Sequence, residues 1–141
     1  MVLIGARGFI GAAVRQQLES DSIPMLALGS SDLDLTDTSA SDRLAEMVRP
    51  DDSVVMLAAL TPDKGRDIAT LMKNLSMMQT VCSALEKSGC GHLVYFSSDA
   101  VYDSGDSNVS EETPASPPDL YGVMHYTREI MARSLAEIPI L

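Results

Sequence analysis

Basic side chains are scarce in this sequence. Ten Lys and Arg stand against twenty Asp and Glu, for a formal net charge of −10. A phosphate backbone or an anionic bilayer demands a local Lys/Arg cluster, and none occurs, so neither nucleic acid nor membrane is an expected partner. Cysteine is nearly missing too. Cys82 and Cys90 form no CxxC pair and neighbour no His-rich group, which leaves no metal-ligand set and suits reduced, buried thiols in a cytoplasmic protein. No apolar run approaches bilayer-spanning length, and the N-terminus lacks the basic region, apolar stretch and cleavage site that direct secretion. What is present is ordinary. At 141 residues, 45% hydrophobic and 21% charged, the chain suits a single globular domain over residues 1–141.

The organising stretch is Gly5-Ala6-Arg7-Gly8-Phe9-Ile10-Gly11. It follows a short apolar run, Met1 to Ile4, and opens a segment in which Phe9, Ile10, Val14 and Leu18 recur at helical spacing. Strand, glycine turn and helix in that order suit a dinucleotide. Glycines permit the tight turn, the approach of backbone to pyrophosphate and close helix–strand packing. The helix start then presents unpaired N–H groups and a positive dipole end to the negative charge.

Downstream, Ile23 to Leu28 reads as a second strand ending at Gly29-Ser30-Ser31. An acid at that end would bond the adenosine ribose and repel a 2′-phosphate. Gly29 stands there instead, with the Ser30 and Ser31 hydroxyls behind it, and Arg7 can reach a 2′-phosphate from the other side, which leans the cofactor towards NADP over NAD. Alternation over residues 31–37 predicts a short third strand, with Asp34 placed to accept from the adenine amino group. Thr36 or Asp37 then caps a helix starting near Ser41 and stopped by Pro50. Val54 to Leu60 is a continuous apolar run, as in a parallel strand covered on both faces, and Ala58-Ala59 leave room for a flat cofactor. Ile68, Leu71, Met72, Leu75, Met78, Cys82 and Leu85 make one stripe of a long helix. Asn74 interrupts it and is a hydrogen-bonding candidate at a helix irregularity.

His92 to Phe96 is the next strand, with Ser97-Ser98-Asp99 at its C-terminal end, where ligands of open α/β sheets bind. A long polar loop, Tyr102 to Asp119, leads to a helix over Leu120 to Ala136 bearing Tyr121, His125 and Arg128. Ile138 to Leu141 looks like a strand beginning. The alternation of strand and helix predicts an α/β fold, a doubly wound parallel sheet in three α/β/α layers. In it Ser98 and Tyr121 border one crevice, where a phenol can move a proton to or from a substrate hydroxyl while the serine orients it.

These motifs, in this order, resemble the extended short-chain dehydrogenase/reductase family of nucleotide-sugar epimerases, dehydratases and reductases. Residues 5–11 look like its GxxGxxG turn, Asp34-Leu35-Thr36-Asp37 its adenine-side acidic motif, and Leu57-Ala58-Ala59 its mid-sheet cofactor strand. Residues 97–103 resemble the segment whose catalytic Ser or Thr falls on Ser98. Asp99 and Asp103 make the pattern most similar to dTDP-4-dehydrorhamnose reductases, and the placement of Arg7 is similar to that in GDP-fucose synthases. The resemblance implies a Rossmann-like NAD(P)-binding domain, a nucleotide-sugar substrate, possible homodimers, and catalysis by Ser98, Tyr121 and, in the place of the family's lysine, His125. The implied cofactor contacts are Gly5, Arg7, Gly8, Phe9, Ile10, Gly11, Ser30, Asp34, Leu35, Leu57, Ala58, Ala59, Asn74, Tyr121 and His125.

Two departures stand out. The family's YxxxK lysine, which bonds the nicotinamide ribose and lowers the tyrosine pKa, is His125 in Tyr121-Gly122-Val123-Met124-His125. This leaves an active enzyme with a less acidic tyrosine, one with a His125 held protonated by a carboxylate, or a non-catalytic NAD(P)(H)-binding sensor or regulatory subunit. The family also carries a C-terminal substrate lobe that is not found within these residues, so the chain is expected to be the N-terminal part of a longer protein.

Overall fold

The structure, a computed structural model, describes every residue except 104, 106, 107 and 136. Ala136, expected to end the last helix, lies outside the described residues. Four strands form one parallel sheet in the order β2-β1-β3-β4: β1 Val2–Ile4, β2 Leu26–Leu28, β3 Ser53–Met56 and β4 His92–Tyr95. Helices α1 (Phe9–Ser20), α2 (Ala40–Met47), α3 (Ile68–Ser88) and α4 (Leu120–Arg133) alternate with them, and a short 3-10 helix, Asp99–Val101, follows β4. Val2 pairs with both Leu26 and Val54, and Ser53 pairs with His92. The chain leaves β1 for one edge and returns past it to β3, so the strand order reverses between β1 and β3. In open α/β sheets that reversal opens a crevice beyond the strand C-termini.

Alternate strand residues point to opposite faces. Val2, Ile4, Val54, Met56 and Leu93 meet α2, α3 and α4 through Leu44, Met78, Val81, Leu85 and Ala132 in the larger core. Leu3 and Val55 face the other way, with Val14 of α1 packed against them. The three layers expected from the alternation are present. The start of a fifth strand is present as well: Ile140 bridges Leu93 in parallel, and Leu141 N–H donates to the Leu93 carbonyl at 3.0 Å.

Three expectations need correction. Residues 31–37 form turns, not a strand. Asp34 Oδ1 accepts from the Thr36 N–H and hydroxyl at 2.9 and 2.8 Å, and Asp37 Oδ1 accepts from the Ser39 N–H and hydroxyl at 2.8 and 2.9 Å. Such local side-chain bonds compete with a ladder. Leu33 and Leu35 still turn inward, and that burial is what the alternation recorded. Because Asp37 is spent on Ser39, it does not cap α2, which starts at Ala40 without a side-chain cap. Finally, the expected apolar stripes of α1 and α3 are exposed at their N-terminal turns: Phe9 is 96% exposed, Ile68 68% and Met72 57%. The reason is length. Twenty-one residues of helix run roughly 30 Å, whereas four-residue strands reach about 13 Å, so the start of α3 projects past the sheet.

Candidate functional site

The site begins at the turn after β1. Gly5 has φ +92°, and a Cβ there would meet the Ala58 backbone nitrogen at 2.7 Å. Gly11 seats α1 on the turn, since a Cβ on it would land on the Gly5 carbonyl oxygen and lie 2.9 Å from Ala6 Cα. Both positions therefore require glycine, one for conformation and both for space. Gly8 precedes α1 and gives it no side-chain cap, and Gly8, Phe9 and Ile10 are exposed. The first two residues of the helix, Phe9 and Ile10, thus stand at the surface, where unpaired helix-start N–H groups can hold an anion. A cleft of about 250 Å³ adjoins the turn, lined by Gly5, Ser30, Asp34, Leu35 and Ala58. Leu57 continues β3 by donating its N–H to the Ile4 carbonyl at 2.9 Å, and Ala59 is half-buried beside it.

Arg7 does not stand free. Its guanidinium donates to the Ser31 hydroxyl and to Asp32 Oδ1 at 3.0 Å, and Asp32 Oδ2 accepts the Gly29 N–H at 2.8 Å. An acid therefore does stand near the end of β2. It comes three residues late in sequence and is folded back by the turn, which is why a search at Gly29 misses it. Asn74 sits at no helix irregularity. Its buried amide accepts the Leu60 N–H at 2.8 Å and donates to the Leu60 and Thr70 carbonyls at 3.1 and 3.2 Å, clamping the β3–α3 loop onto α3.

A second cleft, about 180 Å³, is lined by Leu60, Asn74, Asp119, Tyr121 and Met124. Asp119 caps α4 by accepting the Gly122 N–H at 2.9 Å, which fixes where Tyr121 emerges. Across from it Ser98 begins the 3-10 helix, accepting the Ala100 N–H at 3.2 Å and donating to Asp99 Oδ1 at 3.1 Å. Burial raises the Tyr121 pKa above the ordinary phenol value. The adjacent Ser98 hydroxyl and Arg128 act to lower it, whereas Asp99 and Asp119 add to the rise. The structure thus brings Ser98 and Tyr121 together despite their separation in sequence.

His125 lies one turn below Tyr121, ring edge to ring face at 4.7 Å between centroids. Its Nδ1 is 2.7 Å from the Tyr95 hydroxyl, and its buried Nε2 has no partner among the described residues. Burial, and then Arg128, push its pKa down to about 4, so it is neutral at neutral pH. Among the described residues no carboxylate lies within 4.0 Å of its ring, which speaks against a histidine held protonated by a carboxylate. The consequence for folding has a definite sign. Below pH 6.5 the unfolded chain protonates this side chain while the native one does not, so stability falls as pH drops towards 4 and is regained above 6.5. Urea midpoints measured across that range should fall more steeply in the parent chain than in His125→Gln.

Arg128 and Tyr95 complete a buried cluster. Arg128 is fully buried, donates to the Ala58 carbonyl at 2.9 Å and lies 5.2 Å from the Tyr95 ring centroid. Neither residue carries a role in the motifs. The signal for Arg128 was its place seven residues after Tyr121, on the same face of the helix.

The sequence matches the model of the NAD dependent epimerase/dehydratase family over residues 1–138. The chain belongs to that family. A dTDP-4-dehydrorhamnose reductase of Mycobacterium tuberculosis is 32% identical over 122 residues, covering 84% of this chain and 38% of the reductase. Among solved structures, a UDP-N-acetylglucosamine 4-epimerase from Bacillus cereus superposes with TM-score 0.84 at 22% identity, covering 99% of this chain and 52% of the epimerase. The dTDP-glucose 4,6-dehydratase DesIV of Streptomyces venezuelae, solved with NAD and TYD bound, gives TM-score 0.81 at 22% identity, covering 99% and 53%. At that identity the two structures show the shared fold. The chain spans about half the length of these solved proteins. Among the described residues, no helix is long and apolar enough to cross a membrane.

Proposed function

We propose that residues 1–141 form the NAD(P)-binding domain of an epimerase, dehydratase or reductase acting on a nucleotide-linked sugar. One observation carries the reading: the glycine turn before α1 and the helix that bears Tyr121 both reach Ala58. Gly5 abuts Ala58 on one side and Arg128 bonds its carbonyl on the other. The amides of Phe9, Ile10 and Gly11 hold the pyrophosphate, the Gly8 N–H being spent on the Gly5 carbonyl at 3.0 Å; Asp34 and Leu35 border the adenine, and Leu57, Ala58 and Ala59 form the floor. Asn74 acts by holding Leu60 in place. Bound nicotinamide supplies the hydride donor or acceptor. Tyr121 holds or releases the proton at its phenolic oxygen, and Ser98 orients the substrate oxygen. The free, buried Cys82 and Cys90 thiols suit a reducing cytoplasm.

The neutral His125 favours a second reading, in which the domain binds NAD(P)(H) as a sensor without turnover. Titration with NADH and NADPH, followed by nicotinamide fluorescence, tests the common part. Micromolar binding is expected, and no binding at millimolar cofactor would remove both readings.

The Arg7–Asp32 pair shifts the balance towards NAD, against the leaning towards NADP drawn from the motifs, because a 2′-phosphate would have to displace a carboxylate already bonded twice. Asp32→Asn should release Arg7 and improve the affinity for NADPH relative to NADH about tenfold, the worth of one charge-assisted contact. An unchanged ratio of the two dissociation constants would show that this pair does not select the cofactor.

A further inference from the structure

The family's lysine is missing from α4, yet a buried cation is not. Tyr121, Met124, His125 and Arg128 stand at i, i+3, i+4 and i+7, so they share one helix face. Side chains of a helix lean towards its N-terminus, which directs Arg128 back along that face towards Tyr121. There it bonds the Ala58 carbonyl at 2.9 Å and lies beside Met124 Sδ and the Tyr95 ring. Among the described residues its Nε–H has no partner, and no carboxylate lies within 4.0 Å of it. An unpaired buried charge costs several kcal/mol, so packing alone does not explain why this position carries an arginine.

We infer that Arg128 performs the electrostatic task of the absent YxxxK lysine, as the fixed cation that stabilises negative charge on Tyr121 when the phenol gives up its proton. His125 cannot do so, since it is neutral and its Nδ1 is engaged by the Tyr95 hydroxyl. Its ring spaces Tyr121 from Tyr95. The other groups facing Tyr121 are Ser98 and Asp99 from the 3-10 helix and Asp119 from the start of α4. Arg66 and Asp67 line the same cleft from the α3 side. Asp99 and Asp119 oppose a phenolate, whereas Arg128 and the Ser98 hydroxyl favour it. Arg128 is thus a positioning residue for charge, acting on Tyr121 rather than on substrate.

The inference rests on the reading of Tyr121 as the acid–base group, but its test needs neither cofactor nor substrate. Tyrosine labelled with carbon-13 at Cζ in the full chain gives a resonance for Tyr121, assigned by its loss in Tyr121→Phe, whose titration reports the phenol directly. Arg128→Met should raise the proton affinity of Tyr121 about tenfold, the low end for loss of a nearby opposite charge. Arg128→Lys should stay within about threefold of the parent. The double variant Arg128→Met/His125→Lys, with the cation returned to the family position, should restore the titration, which a purely structural role would not. An unmoved titration in folded Arg128→Met overturns the inference. Should that variant not fold, Arg128→Gln, which keeps a donor for Ala58 without the charge, decides by the same two outcomes. A tenfold rise in Arg128→Lys also overturns it. Turnover that survives Tyr121→Phe would instead remove the acid–base reading and leave the charge coupling standing.

Discussion

Replacing Gly11 with alanine is expected to weaken NADH binding by about 100-fold, or about 2.7 kcal/mol, and to lower stability by about 2–3 kcal/mol. The added methyl has nowhere to go, because the atoms in its way are the Gly5 carbonyl and Ala6 Cα, both backbone. A flexible side chain could swing aside, but a strand-to-helix turn cannot. α1 must lift off β1, carrying its first-turn amides away from the crevice. Gly8→Ala is the control. A Cβ there meets the Gly5 carbonyl at 3.4 Å, an ordinary contact, and exchanging glycine for alanine at this pre-helical position costs about 1 kcal/mol or less. Thermal melts and NADH fluorescence titrations on the three proteins check the contrast. Equal NADH affinity in Gly11→Ala and the parent would mean that the glycine turn is not the phosphate seat.

Tyr121→Phe is expected to lower kcat by 10²- to 10⁴-fold, the usual worth of a positioned proton donor or acceptor, or about 3–5 kcal/mol of barrier. NADH affinity should change by no more than about threefold. The ring keeps its edge-on contact with His125 at 4.7 Å, and only the hydroxyl is lost. The measurement is steady-state turnover of a nucleotide-linked sugar by the protein that carries this chain, beside cofactor binding by fluorescence. Turnover that survives the substitution would refute the acid–base role. Cofactor binding without any turnover in the parent protein would select the sensor reading.

Much of the architecture is legible in the residues because it follows from local chemistry. The three- and four-residue spacing marks α3 as a helix, while the shortness of the apolar run marks β3 as a strand. The sequence reading fails where side chains bond their own backbone. Asp34 and Asp37 turn an alternating stretch into successive turns, and alternation cannot distinguish this from a strand when both bury Leu33 and Leu35. It also fails where sequence neighbours mislead, as at Gly29, whose N–H is held by Asp32 rather than by a residue at the strand end.

Most of the alternation of strand and helix, the glycine turn before α1 and the candidacy of Ser98 and Tyr121 were written in the residues themselves. Each of these is written in short-range spacing and residue chemistry. Tertiary structure alone decided the charges: that Arg7 is neutralised by Asp32, that His125 is uncharged, and that a buried Arg128 lies along the face that carries Tyr121. Protonation and pairing depend on dielectric and on distances across the fold, and neither can be read along a chain.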